Sequence, residues 1–263
     1  MYSRYVVGVD GSPPSRAAVE WAAERVQREG TPVLLAHVDE PEGGMMGRDF
    51  ASGELRAGES LLADMASSLA GRGFDVTTTL LSGPVSWALA ELAAPSDLLV
   101  VGTHKTGFLH GRVLGSRSVQ IAAAARCSVA VIPDADLRFR RGVVVGLDST
   151  DDAPEVARAA AEEADARGED LSVIRAIPGR GEAAHAVELL DAVRATFPEL
   201  VVRTRESRRQ PAEALLDASR DKALLVVGPG SAERSPIGSV LHDVLLNLNA
   251  PALIARGVRI AAR

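Results

Sequence analysis

The sequence predicts an α/β fold made of two tandem domains, each a doubly wound, five-stranded parallel sheet with helices on both faces. Two observations predict it. Apolar runs alternate with helical stretches along the chain, and this alternation occurs twice. The runs are nearly continuous in apolar residues instead of alternating apolar with polar, which is typical of strands covered on both faces.

In the first half, five strands and four helices follow each other in strict alternation. The strands are predicted at 5–9, 33–37, 75–81, 98–101 and 129–132, and the helices at 14–28, 53–70, 85–93 and 116–125. Ser12 or Ser15 can cap the first helix, and Pro13 or Pro14 suits its first turn. The Gly-rich segment 41–53 is expected to be a loop, either one that folds over a binding crevice or an ordinary insertion.

The second half repeats these features in the same order. Tyr-Val-Val-Gly-Val-Asp at 5–10 resembles Val-Val-Val-Gly-Leu-Asp at 143–148, and Leu-Leu-Val-Val-Gly occurs at both 98–102 and 224–228. A Gly-Ser pair follows each time, and so does a final apolar run. Strands are predicted at 143–147, 171–176, 200–204, 223–227 and 252–255. The repeat indicates a duplicated domain, with copies at 1–135 and 141–263 joined by a charged linker.

Composition excludes several classes of protein. The chain has 263 residues, 46% of them hydrophobic, and a net charge of −6, which gives no electrostatic footprint for nucleic acid or an anionic membrane. No apolar run approaches the ~20 residues of a membrane span. A single cysteine, Cys127, excludes an internal disulfide and a cysteine-based zinc cage. We expect a cytoplasmic protein with neither nucleic-acid nor membrane partners.

The segment 102–116 carries the chemistry of a phosphate cradle. It follows a predicted strand, opens a helix, and contains four glycines, several hydroxyls and the cations Lys105 and Arg112. Backbone N–H groups at such a loop bind anions, although a flexible connection with turn glycines is the alternative. The segment has neither the Walker A spacing nor the position of a dinucleotide fingerprint. His104 lies in the same loop and could contact phosphates.

Asp10 follows the first strand just as Gly102 follows the apolar run of the fourth. Ligands of doubly wound sheets bind at the carboxyl ends of strands. If the first and fourth strands are neighbours, these two residues face one crevice. Asp10 could then bind a ribose hydroxyl, an adenine amino group or a metal. The alternative is that its carboxylate closes the turn into the first helix.

These residues resemble the universal stress protein family, in the tandem two-domain form found in actinobacteria. The ATP-binding pattern of that family runs Gly, two residues, Gly, nine residues, Gly, Ser/Thr. Gly102, Gly115 and Ser116 occupy matching places, and Lys105 replaces the middle glycine. The resemblance implies the strand order 3-2-1-4-5. It also implies that Asp10 is the aspartate found at the end of the family's first strand, and that Val38 is its adenine-contacting aliphatic residue.

The function implied is a stress-response module that binds ATP, alone or with Mg²⁺, in the first domain. No catalytic residue and no protein metal site is predicted. The implied nucleotide-binding residues are Asp10, Val38, Gly102, His104, Lys105, Gly115 and Ser116. Two alternatives stay open: a slow ATPase or phosphoryl-transfer enzyme that uses His104 or His110, and a nucleotide-free dimerisation scaffold.

The resemblance also implies pairing between the two domains of one chain, and a homodimer. The second copy departs further from the pattern. Its loop at 228–239 is three residues shorter than 102–116, contains two prolines that lack N–H donors, and carries Glu233 where an anion would bind. We expect this copy to bind nucleotide weakly or not at all.

Overall fold

The structure is a computed structural model that describes residues 2–40, 48–103, 116–147, 152–176, 183–230 and 236–257. The chain divides into two compact units, with the boundary after Asp134. Within the described ranges, no helix is both long enough and apolar enough to cross a membrane.

The first unit is a five-stranded parallel sheet in the order β3-β2-β1-β4-β5. This confirms the predicted fold and strand order. The strands are β1 (Tyr5–Gly8), β2 (Val33–Asp39), β3 (Val76–Ser82), β4 (Leu98–Thr103) and β5 (Ser128–Pro133). The helices are α1 (Pro13–Glu29), α2 (Arg48–Ala70), α3 (Val85–Leu92) and α4 (Ser116–Ala124).

The second unit repeats the same order as β8-β7-β6-β9-β10, again all parallel. Its strands are β6 (Val143–Gly146), β7 (Leu171–Ala176), β8 (Val202–Ser207), β9 (Leu224–Val227) and β10 (Ala252–Ile254). Its helices are α5 (Ala153–Arg167), α6 (Ala183–Thr196), α7 (Pro211–Ser219) and α8 (Ser239–Leu246).

Most element boundaries lie within two residues of the predictions, and two differences have a structural reason. The helix α2 begins at Arg48, so the prediction of a loop throughout 41–53 is wrong for its last residues, while 41–47 lie outside the described residues. Gly53 falls inside this helix, where a glycine costs only about 1 kcal/mol relative to alanine. The strand β8 begins two residues late because the Leu200 N–H bonds to the Phe197 carbonyl in a turn.

Helices cover both faces of each sheet. In β1 the consecutive residues Tyr5, Val6 and Val7 are fully buried, which requires cover on both sides of the strand. In the first unit α1 packs on β1, β4 and β5, while α2 packs on β2 and β3. The helix α3 packs on β2 and β3 and against α4.

The start of α1 lies in backbone contact with the carboxyl end of β4. Ser12 caps the helix, since its hydroxyl accepts from the Ser15 N–H at 3.3 Å. A Cβ atom on Gly102 would lie 2.3 Å from the carbonyl carbon of Pro14 and 2.6 Å from the amide nitrogen of Ser15. Only glycine therefore allows the first turn of α1 to pack this closely on β4.

The other end of α1 is fixed to the start of β1 by a buried polar cluster. The Tyr5 hydroxyl donates to a Glu29 carboxylate oxygen at 2.7 Å and accepts from Arg25 Nε at 3.1 Å. The Arg25 guanidinium also lies 4.6 Å from the centre of the Trp21 ring. Burial raises the pKa of the Tyr5 hydroxyl above its ordinary value, so it stays a donor in the folded protein.

We predict that Gly102→Ala destabilises the first unit by roughly 1–3 kcal/mol, because the new methyl group overlaps backbone atoms that cannot rotate away. Both tryptophans, Trp21 and Trp87, belong to the first unit, so fluorescence during urea unfolding reports on it.

The matched control for that change is Gly228→Ala at the equivalent place in the second unit. A Cβ there would lie 3.1 Å from a side-chain methyl of Val156, and its nearest backbone atom, the Gly230 nitrogen, is 3.9 Å away. We expect Gly228→Ala to lower the free energy of unfolding by less than about 1 kcal/mol. Circular dichroism measures unfolding in both variants. Equal losses would contradict the packing role of Gly102.

Alkaline pH should destabilise the first unit through Tyr5. Its pKa is raised above 10.0 in the folded state, so the unfolded chain releases this proton first as pH rises. The free energy of unfolding should therefore fall above about pH 10, with a slope of at most about 1.4 kcal/mol per pH unit from this group. Tyr5→Phe should flatten that dependence between pH 9 and 11. An unchanged slope would contradict the assignment.

Candidate functional site

A cavity of about 300 Å³ lies at the carboxyl edge of the sheet in the first unit. The ends of β1 and β2 form one wall, and one side of α2 forms the other. The lining residues are Asp10, His37, Val38, Asp39, Glu40, Ala57, Gly58 and Leu61. Asp10 and Val38, two of the residues predicted to bind nucleotide, thus lie together in one crevice.

Asp10 stabilises the turn after β1 and also lines the cavity. One oxygen of its carboxylate accepts from the Ser12 N–H at 2.9 Å, which closes the turn between β1 and α1. Its own N–H lies 3.4 Å from the Ser15 hydroxyl. The residue is exposed at the rim of the cavity. The turn-closing role considered from the sequence is therefore present, but Ser12 and not Asp10 caps the helix.

Val38 presents its main chain to the crevice. In β2, the Ala36 carbonyl accepts from the N–H of Val9, the residue after β1, whereas the Asp39 carbonyl accepts from Gly83 on the side of β3. Backbone groups alternate between the two sides of a strand, so the N–H and C=O of Val38 point toward β1. The last ladder pair of β1 is Gly8 with Ala36, so β2 extends beyond its neighbour. One donor and one acceptor of Val38 consequently face the region past the end of β1.

His37 joins the two strands where β1 ends. Its Nδ1 lies 2.7 Å from the Val9 carbonyl oxygen. A carbonyl oxygen only accepts, so Nδ1 carries the proton and Nε2 of the neutral ring is an acceptor. The helix α2 approaches this ring at Gly58, where a Cβ would lie 2.7 Å from His37 Cδ2. The absence of a side chain at Gly58 therefore keeps room for the imidazole.

The other predicted site residues are not brought into this cavity by the described part of the structure. Gly102 lies in β4 beneath the first turn of α1 and is not among the lining residues. Ser116 is the first residue of α4. His104, Lys105 and Gly115 lie outside the described residues.

The lining of the cavity is acidic. Asp10, Asp39 and Glu40 all contribute to it. Glu40 pairs with Arg117, the second residue of α4, with 2.8 Å between carboxylate oxygen and guanidinium nitrogen. In the ranges the structure describes, no three side chains of His, Cys, Asp or Glu come together in a way that could hold a metal ion. The arrangement suits a neutral, hydrogen-bonding group better than an anion.

In the second unit, the two ends of the loop at 228–239 are drawn together. The Gly238 N–H donates to the Pro229 carbonyl at 2.8 Å, and a Cβ on Gly230 would lie 3.1 Å from the Cα of Gly238. Gly230 has a positive φ of 72°, which favours glycine. The Gly238 N–H, at the position equivalent to Gly115, is thus already bonded to the loop itself.

Sequence reasoning missed three of these features. The sequence predicts no role for His37, for Glu40 or for the side of α2 that lines the cavity. One usable signal was Gly58, a glycine in the interior of a long helix, which often marks a close approach.

Comparison with known proteins identifies the family. The family model described as "Universal stress protein family" matches residues 1–133. Universal stress protein Rv1996 of Mycobacterium tuberculosis is 28% identical over 95% of this chain and 94% of its own length.

A solved structure that matches almost the whole chain shows the same fold. A universal stress protein from Archaeoglobus fulgidus covers 97% of this chain and 99% of its own, with a TM-score of 0.80 at 15% identity. Another solved structure, a universal stress protein in complex with cAMP, is 26% identical over 51% of this chain, with a TM-score of 0.42. The match of the family model to half of the chain establishes the conclusion: this chain belongs to the universal stress protein family.

Proposed function

We propose that the first unit binds ATP and acts as a regulatory module in the stress response. The observation that carries this proposal is the open cavity at the carboxyl edge, which contains both Asp10 and Val38. Its volume of about 300 Å³ is at the small end of ligand pockets. Such a space suits a base with its sugar, and the phosphates would extend beyond it.

The base end of this site is assigned to β2. Adenine offers a donor and an acceptor on one edge, its amino group and the neighbouring ring nitrogen. The N–H and C=O of Val38 point to the side of β1 and can pair with that edge. The side chains of Val38 and Leu61 supply apolar walls for the ring. The His37 Nε2 acceptor lies beside this space, next to Gly58.

The ribose is assigned to Asp10. A carboxylate is an acceptor only, and ribose hydroxyls are donors, so the two complement each other. The turn bond to Ser12 fixes the side chain of Asp10 before any ligand binds. A pre-positioned acceptor costs less ordering entropy on binding than a mobile one.

Charge decides the direction of the phosphates. The carboxylates of Asp10, Asp39 and Glu40 would repel them from the cavity. One cation outside the lining, Arg117 at the start of α4, pairs with Glu40, and the sequence carries Lys105 shortly after β4. We therefore assign the phosphates to the segment 102–116, with His104, Lys105, Gly115 and Ser116 as predicted contacts. Gly102 contributes by letting α1 pack on β4.

Magnesium enters this proposal only with the nucleotide, because the described side chains form no cluster that could hold it. ATP turnover that disappears in His104→Ala would instead favour the slow ATPase. Pairing of the two domains and of two chains, which the resemblance implies, is proposed as the property that nucleotide binding regulates.

Asp10→Ala should weaken ATP binding to the full chain about tenfold or more, because a hydrogen bond to a charged group is lost. Asp10→Asn is the matched control, since it keeps an oxygen for the Ser12 N–H, and its loss should be smaller. Isothermal titration with ATP measures both.

A second ligand separates ribose recognition from damage to the turn. With dideoxy-ATP, which lacks both ribose hydroxyls, the difference between wild type and Asp10→Ala should nearly vanish. Unaltered ATP affinity in Asp10→Ala would contradict the proposed site.

The two glycines that end the repeated loops should behave differently. Gly115→Ala should weaken ATP binding to the full chain, since a methyl group hinders the approach of phosphate to the backbone. Gly238→Ala, at the equivalent place in the second unit, should leave the affinity unchanged, because its N–H already bonds to Pro229. An equal loss in both variants would show that the second unit also binds nucleotide.

A further inference from the structure

The ion pair between Arg117 and Glu40 joins the two ends of the proposed site. Glu40 follows β2 and lines the cavity, and Arg117 lies in the first turn of α4. Their charged atoms are 2.8 Å apart, although the residues are 77 positions apart in sequence. The pair thus connects the base end of the site with the helix that follows the predicted phosphate loop.

This pair is weakly held. The side chains of Arg117 and Glu40 are 65% and 45% exposed. Exposed ion pairs contribute only about 0–1 kcal/mol, because water screens the charges and two long side chains must be ordered. A stronger anion that reaches Arg117 can therefore displace the carboxylate at little cost.

A polyphosphate is such an anion. The guanidinium presents several N–H donors in a planar fork, which matches two phosphate oxygens as well as it matches a carboxylate. ATP also carries more negative charge than a single glutamate. Arg117 would form a stronger charge interaction with the phosphates than with Glu40. The Glu40 carboxylate would be left facing the base and ribose.

We propose that Arg117 exchanges Glu40 for the phosphates of the bound nucleotide, and so determines the preference for ATP over nucleosides with fewer phosphates. The inference rests on the proposed function of the first unit. It assigns to Arg117 a role in specificity, and it makes Glu40 a competitor that occupies this cation until phosphates arrive.

The exchange is tested by titrating the full chain with ATP, AMP and adenosine. Arg117→Gln should weaken the binding of ATP about tenfold, the binding of AMP by a smaller factor, and the binding of adenosine less than twofold. The reason is that only phosphates contact the arginine. Raising the salt concentration should reduce the difference in ATP affinity between wild type and Arg117→Gln, because salt screens the charge interaction.

Glu40→Gln tests the competition directly. It should strengthen ATP binding about twofold to fivefold in the wild-type background, because Arg117 loses its competing partner. The gain should be smaller in the R117Q background, and the difference between the two gains measures the coupling. A gain of equal size in both backgrounds would overturn the competition.

Arg72→Gln is the matched control. Arg72 makes an exposed pair with Glu20 at 2.9 Å, also between distant parts of the first unit, but neither residue lines the cavity. This variant should leave all three affinities unchanged.

The outcomes distinguish the two proposals. Suppose that wild type binds ATP, and that Arg117→Gln weakens the binding of ATP and of adenosine by the same factor or weakens neither. The exchange is then wrong and the proposed function stands. If wild type binds none of the three ligands, the proposed function is wrong, and the exchange falls with it.

Discussion

The candidate site depends on the close contact between α1 and β4 at Gly102. Since Gly102 has no side chain, the backbone at Pro14 and Ser15 can lie directly against the strand. Ser15 in turn bonds to Ser12, and Ser12 bonds to the Asp10 carboxylate. The glycine at position 102 thus helps to position the Asp10 carboxylate at the rim of the cavity, through the hydrogen bonds of Ser15 with Ser12 and of Ser12 with Asp10. The buried cluster of Tyr5, at the far end of α1, fixes the same helix from the other side.

The two units share one strand order and differ at the carboxyl edge of the sheet. Both keep the buried apolar strands and the same strand order, since these make the core. They differ where the chain crosses the carboxyl edge. In the second unit Gly238 bonds back to Pro229, and Gly228 is less tightly packed than Gly102. Loops on a common scaffold can change without loss of the fold.

The sequence predicted the elements of the fold well because each apolar run is long enough to bury a strand. Strand adjacency is not encoded locally, so the order came from the family resemblance. Asp10 was predicted because it follows a strand, and parallel strands end at one edge of the sheet. Val38 was predicted only through the family resemblance. His37 was missed because a single imidazole in an apolar strand carries no local signal. The pair of Arg117 with Glu40 could not be predicted, because only the folded sheet brings residues 77 positions apart within 2.8 Å.

The contact of Pro229 and Gly230 with Gly238 in the second unit bears on stoichiometry. If that contact leaves the Gly238 N–H unavailable to phosphate, a chain that binds nucleotide in its first half takes up one ligand and not two. Cooperative saturation could then arise only by coupling between separate chains, since one polypeptide would hold no second ligand. The second unit would in that case be a ligand-independent domain, and not a second sensor.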